Sequence, residues 1–140
     1  MRKLGIDYGD SRVGLAITDA LGITAQGLET VHHNGNDKIV LKFLEQVLVD
    51  YDIDTFVIGM PINMDGSKTI RVEITEKFIH KLKCKFPKIS IQTVDERLTT
   101  VAAHKTMNYL NINKNKKRQI VDTISAVYIL ETYIKKQENN

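Results

Sequence analysis

Apolar and polar residues alternate from the start of the chain. In RKLGIDYG, Leu4, Ile6 and Tyr8 interleave with Gly5 and Asp7, the two-residue period of a β-strand. Gly9-Asp10-Ser11 turns the chain into RVGLAITD, a second strand, and Gly22 closes a turn before a third, TAQGLETV. Three strands with such short connections predict an antiparallel meander. The period then changes. Ile39, Val40, Phe43, Leu44, Val47, Leu48 and Tyr51 repeat at helical spacing, with Asn36 placed as N-cap. TFVIGM is apolar without alternation, as in a parallel strand covered on both faces, and Pro61 ends it. Ser67 is placed to cap a second helix with the stripe Ile70, Ile74, Phe78 and Leu82. Pro87 breaks the chain before a fifth strand, KISIQTV, which runs out at Asp95-Glu96. A short helix is predicted from Thr99 or Thr100 towards Leu110. The last helix, from about Lys116 to Lys136, carries Ile120, Ile124, Val127, Leu130 and Ile134, and also Val121, Ile129 and Tyr133. Apolar residues on more than one side predict a largely buried helix. The order β-β-β-α-β-α-β-α-α is that of an α/β protein, a mixed sheet with helices packed against it.

Length and composition narrow the class. At 140 residues the chain is expected to form one domain, residues 1–140. Its 42% hydrophobic and 26% charged residues are ordinary for a globular protein. A lone cysteine, Cys84, excludes an intrachain disulfide and fits a reducing compartment; it is expected in the core or at its boundary. Arg2-Lys3 leads straight into a strand, and no window approaches a membrane span, so a cytoplasmic protein without membrane contact is expected. The net charge of +3 matters less than its distribution. No Asp or Glu occurs from Arg97 to Val121, where Arg97, Lys105, Lys114, Lys116, Lys117 and Arg118 lie. Such a field suits a polyanion, although a solvated lysine-rich loop has the same composition.

Asp7 ends the first strand, Asp95 and Glu96 end the fifth, and Asp122 lies near the start of the last helix. Ser125 and Ala126, three and four residues beyond Asp122, are expected to leave open space beside it. These acids can converge at one end of the sheet, where ligands bind in open α/β folds. Each also has a plainer reading. Asp7 can bond turn amides, Asp95-Glu96-Arg97 can form a local ion pair, and Asp122 can satisfy helix amides.

DYGDSRVGLAITD, VIGMPINMDGS, VDERLTT and IVDTISAVYIL together resemble the four motifs of the YqgF/RuvX family, in order and at compatible spacing over nearly the whole chain. One departure is Ser125-Ala126, where the family pattern leads us to expect an alanine pair; serine is nearly as small. Members of the family have been called Holliday-junction-resolvase-like proteins and nucleases of precursor 16S ribosomal RNA. The resemblance implies a ribonuclease-H-like three-layer fold, with a five-stranded mixed sheet and helices on both faces. It also implies a metal-dependent nuclease that processes the 5′ end of precursor 16S rRNA in ribosome biogenesis. The family's first-strand acid falls on Asp7, its helix acid on Asp122, and its later-strand acid within Asp95-Glu96. Glu96 is preferred, although strand parity alone does not choose between neighbours that face opposite ways. Asp7, Glu96 and Asp122 are thus the implied catalytic residues, with Asp95 retained among the metal ligands.

Hard oxygen ligands without a His-Cys cluster select Mg²⁺ or Mn²⁺, as one or two ions. Two ions about 3.5–4 Å apart would activate a water and stabilise the leaving oxygen of an in-line displacement. Without an ion, three gathered carboxylates repel and raise at least one pKa. Gly5 and Gly9 would let the chain and a phosphate approach closely. Around the acids, Arg12, Asn63, Arg97, Lys114, Lys116, Lys117 and Arg118 are the candidate contacts to nucleic acid, the last four on a flexible basic loop before Asp122. Asn63 and Asp65 lead into a helix whose N-terminus could hold a phosphate, or they simply form a turn and cap. Thr99 and Thr100 read as helix caps, and His32, His33 and His80 as surface residues. Phosphate and shape contacts are expected in place of sequence-specific readout.

Structured RNA (precursor rRNA) is the favoured partner and branched DNA the alternative, for a monomer or weak homodimer. An ATPase of the actin and sugar-kinase kind shares the opening aspartate-glycine hairpin, but that architecture needs two such domains. The glycines at 5, 9 and 14 miss the dinucleotide-binding spacing. A nucleic-acid-binding assembly factor without catalysis is the alternative of another class.

Overall fold

The computed structural model describes residues 1–62, 65–67, 69–96 and 114–138, with backbone alone for 114–120. Strands β1 (Arg2–Tyr8), β2 (Arg12–Thr18) and β3 (Ala25–His32) form the expected antiparallel meander. Helix α1 (Asp37–Asp50) carries the chain across one face to β4 (Ile53–Met60), which pairs in parallel with β1. Helix α2 (Ile70–Lys85) leads to β5 (Ser90–Asp95), parallel to β4, and α3 (Lys114–Glu138) follows. The sheet order is β3-β2-β1-β4-β5. The short helix predicted between Thr99 and Leu110 lies outside the described residues, as do Asn63 and Arg97.

Strand parity sorts the side chains into two cores. Leu4, Ile6, Val13, Leu15, Ile17, Phe56 and Ile58 pack with Val40, Leu44 and Val47 of α1 and Phe78 and Leu82 of α2. The opposite face carries Ala16, Val57 and Val94 against Ala126, Ile129 and Leu130 of α3. Helices therefore cover both faces. Gly5 and Gly14 floor the α3 side, and α3 presses close to them. A Cβ on Gly5 would stand 2.7 Å from the Ala126 carbonyl oxygen, and one on Gly14 2.1 Å from that of Asp122. The space above Gly5 thus belongs to a helix and not to a phosphate.

Several expectations need correction. Asn36 caps α1 as expected, accepting from the Lys38 amide at 3.1 Å. For α2 the cap is Thr69, not Ser67. Thr69 Oγ1 accepts from the Arg71 amide at 3.2 Å, while the Ser67 amide donates to Asp65 in a separate turn. The buried stripe is Val72, Thr75, Phe78, Ile79 and Leu82, and Ile70 is 71% exposed. Cys84 is exposed, because it falls on the outer side of that helix. Helix α3 begins at Lys114, so the backbone of the basic run is helical and not a flexible loop. Ser125 and Ala126 are buried against the sheet, Ser125 bonded to Asp7 and Ala126 over Gly5. α3 buries one face; among its described side chains Val121, Ile124, Val127, Tyr133 and Ile134 stay half-buried.

Candidate active site at the carboxyl ends of β1, β4 and β5

Three parallel strands end at the same edge of the sheet, and the acids follow from their register. Asp7 shares parity with Gly5, so it faces α3. Gly59 of β4 pairs with Val94 of β5, and Met60 with Asp95. Glu96, one step further, returns to the α3 side, and its amide extends the ladder by donating to Met60 O at 3.1 Å. A Cβ on Gly59 would lie 3.2 Å from the Glu96 carboxyl carbon. The Asp7 carboxyl is hydrogen-bonded to that of Glu96 and accepts from the Ser125 hydroxyl of α3. The exposed Asp95 belongs to the other face of the ladder. Parity within the β4–β5 pair thus distinguishes two neighbours that the sequence alone left open.

Burial holds the Asp7 pKa well above the ordinary carboxyl value. The hydrogen bond to Glu96 and its negative charge push the same way, while Arg71 and Ser125 oppose them. Asp122 lies over Gly14, the cross-strand partner of Asp7, and its pKa is also raised, chiefly by burial. Arg12 counters this with a salt bridge from Nε to Asp122 Oδ2 at 2.8 Å, and Asp7 adds a repulsive charge. Arg12 thus reaches the site as the partner of the helix acid. The donors are oxygens of carboxylates from three elements, the hard set that Mg²⁺ and Mn²⁺ prefer. Among the described residues no three His, Cys, Asp or Glu side chains are gathered as a finished metal site. Asp7 and Glu96 form a two-carboxylate nucleus, and Asp122 stands by on its arginine.

The other face of the sheet braces this edge. Tyr8 stacks on Phe78 with ring centroids 4.1 Å apart and donates its hydroxyl to Asp37 at 2.5 Å. His33 is buried, contrary to its surface reading. The Gly35 amide donates to Nδ1 at 3.0 Å, which leaves Nε2 as the donor to Gly9 O at 2.9 Å. The imidazole thereby holds the β1–β2 turn. Arg71 also went unrecognised in the sequence. Its guanidinium donates to Tyr8 O at 3.0 Å, pairs with Asp10, and its charge acts on Asp7. The available signal was a cation in the first turn of a helix, where the macrodipole disfavours one. Lys114, Lys116, Lys117 and Arg118 occupy the backbone of the first turns of α3, and Asp122 follows on the same helix.

An open five-stranded mixed sheet with helices on both faces and acids at the carboxyl ends of β1 and β5 defines the ribonuclease-H-like class. Solved structures share this fold. A fowlpox virus resolvase, solved with Holliday junction DNA, aligns with TM-score 0.61 at 12% identity, covering 98% of this chain and 99% of its own. Thermus thermophilus RuvC, in complex with a Holliday junction substrate, aligns with TM-score 0.57 at 11% identity, covering 98% and 96%. The chain belongs to the RuvX family, described as Holliday junction resolvase, which matches residues 1–136. A relative from Ruminiclostridium cellulolyticum is 49% identical over 140 residues, covering 100% of this chain and 98% of its own length. One from Acetivibrio thermocellus is 48% identical over 134 residues, covering 96% and 95%. Both carry the name "Putative pre-16S rRNA nuclease".

Proposed function

We propose that this protein is a divalent-metal-dependent nuclease that hydrolyses phosphodiester bonds in structured RNA and processes the 5′ end of precursor 16S rRNA in the cytoplasm. The observation that carries the reading is the contact between Asp7 and Glu96, from two strands nearly ninety residues apart, with Asp122 beside them. Burying two carboxyls against each other is unfavourable unless a proton or a cation joins them. Asp7, Glu96 and Asp122 would hold Mg²⁺ or Mn²⁺, one or two ions. When bound, the metal supplies charge neutralisation for the phosphate and a water of lowered pKa. The chain does the rest. Ser125 orients the Asp7 carboxyl, and Arg12 holds Asp122 on the side facing Gly14. The backbone of the basic turns of α3, with Arg97 and Asn63 among the candidate contacts, would lead the phosphate backbone to the acids. The names of the relatives support RNA as substrate.

The test is cleavage of precursor 16S rRNA beside a four-way DNA junction, in Mg²⁺ and in EDTA. Wild-type protein should cut the RNA in Mg²⁺ alone, and Asp7→Asn should lose at least about a hundredfold in rate while still binding. Preferential cutting of the junction would make the DNA the substrate. Equal cutting by both proteins would remove the acids from the chemistry.

A further inference from the structure

Arg71 stands in an unusual setting for a structural arginine. It occupies the first turn of α2, where the helix dipole opposes a positive charge. One guanidinium nitrogen is anchored on the Tyr8 carbonyl, the residue directly after Asp7. The other pairs with Asp10, whose side chain is 80% exposed, whereas that of Arg71 is 28% exposed. The fork is therefore held rigidly at its inner end and by a solvent-facing carboxylate at its outer end. A surface ion pair of this kind is weak, so a phosphodiester offering two oxygens to the same planar fork can replace it. The anchor on Tyr8 O sets the guanidinium at the carboxyl end of β1, one residue from Asp7.

We propose that Arg71 binds a backbone phosphate of the nucleic-acid substrate next to the acid site, and that Asp10 is the intramolecular stand-in which occupies the guanidinium until substrate displaces it. The inference rests on the nuclease reading above and adds to it a specific ligand and its competitor. Arg71 keeps its bond to Tyr8 O throughout. The bound phosphate is thereby registered against the end of β1, and the position of the strand relative to Asp7 follows from one side chain. Asp10, released, returns to solvent at little cost, because it is already exposed.

A double-mutant cycle tests this by fluorescence anisotropy on a labelled RNA stem-loop and a labelled four-way DNA junction. Ca²⁺ replaces Mg²⁺ so that binding is read without turnover. Asp10→Asn should tighten binding about two- to fivefold, the factor that corresponds to losing a competitor worth about 0.4–1 kcal/mol. Arg71→Ala should weaken it about tenfold and lower the salt slope by roughly 0.7–0.9, one phosphate contact. The double variant should bind like Arg71→Ala alone. If Asp10→Asn still tightens binding in the Arg71→Ala background, Asp10 acts only as a repelling charge and the exchange is wrong. Unchanged affinity and slope in Arg71→Ala would remove the phosphate contact as well. Should the alanine variant fail to fold, Arg71→Gln, neutral yet able to donate to a carbonyl, takes its place in the cycle. Mg²⁺-dependent cleavage by the wild type judges the nuclease reading separately. A protein that cleaves but gives an additive cycle overturns this inference alone, and one that binds neither probe overturns both.

Discussion

A carboxyl group placed like Asp7 gains nothing by ionising alone. It is buried, faces Glu96, and has Ser125 and the more distant Arg71 to offset the charge. Its folded pKa lies above the ordinary 3.8, so the folded chain binds this proton more tightly than the unfolded chain does. The stabilisation is complete below pH 3.8 and is lost as pH rises through the raised value. In EDTA the melting temperature of the wild type should therefore fall relative to that of Asp7→Asn as pH is raised from 4 to 8. Parallel curves for the two proteins would contradict the buried pair. The same residue shows a limit of local reading, since adjacent side chains such as Asp95 and Glu96 are equivalent until a partner strand sets their faces.

At the scale of elements, α3 and the glycine floor determine whether the acids meet. Gly14 lies opposite Asp7, and any Cβ there would collide with the Asp122 backbone. Gly14→Ala should cost about 1–3 kcal/mol through overpacking and push α3 outward, separating Asp122 from Asp7 and lowering activity. Gly27 is the control on the same interface. A Cβ there would meet Thr123 at 3.4 Å, an ordinary contact, so Gly27→Ala should stay within about 0.5 kcal/mol. Urea unfolding of both variants checks the contrast, and equal costs would mean that α3 adjusts freely. The existence of α1, α2 and α3 was legible from apolar spacing. The start of α2 was not. Ser67 and Thr69 are both sound caps, and the choice between them depends on the Asp65 turn and on where Arg71 reaches the β1–β2 turn.

For the molecule as a whole, the proposed metal site would link function to stability. Mg²⁺ or Mn²⁺ at about 100 times its dissociation constant should stabilise the wild type by roughly 2.7 kcal/mol. It should leave Asp7→Asn nearly unchanged in a thermal melt. An equal shift in both would place metal binding elsewhere on the chain. No described helix is long and apolar enough to cross a membrane. β1, which carries Asp7, and β5, which Glu96 directly follows, are separated in the sheet only by β4, which is why their ends lie so close.

Periodicity by itself determined the five strands and helices α1, α2 and α3, because alternation and helical spacing are local consequences of burying one face; helices on both faces of the sheet were implied by the family resemblance. Motif order marked Asp7, the Asp95-Glu96 pair and Asp122. Tertiary structure alone decided which of the pair turns to Asp7, that Arg12 serves Asp122, that His33 is interior, and that Arg71 bonds the end of β1 at Tyr8. Each of these depends on register and on contacts between residues far apart in the chain. Such contacts are set by which faces meet when the sheet closes against α3, and no local window of sequence contains that information.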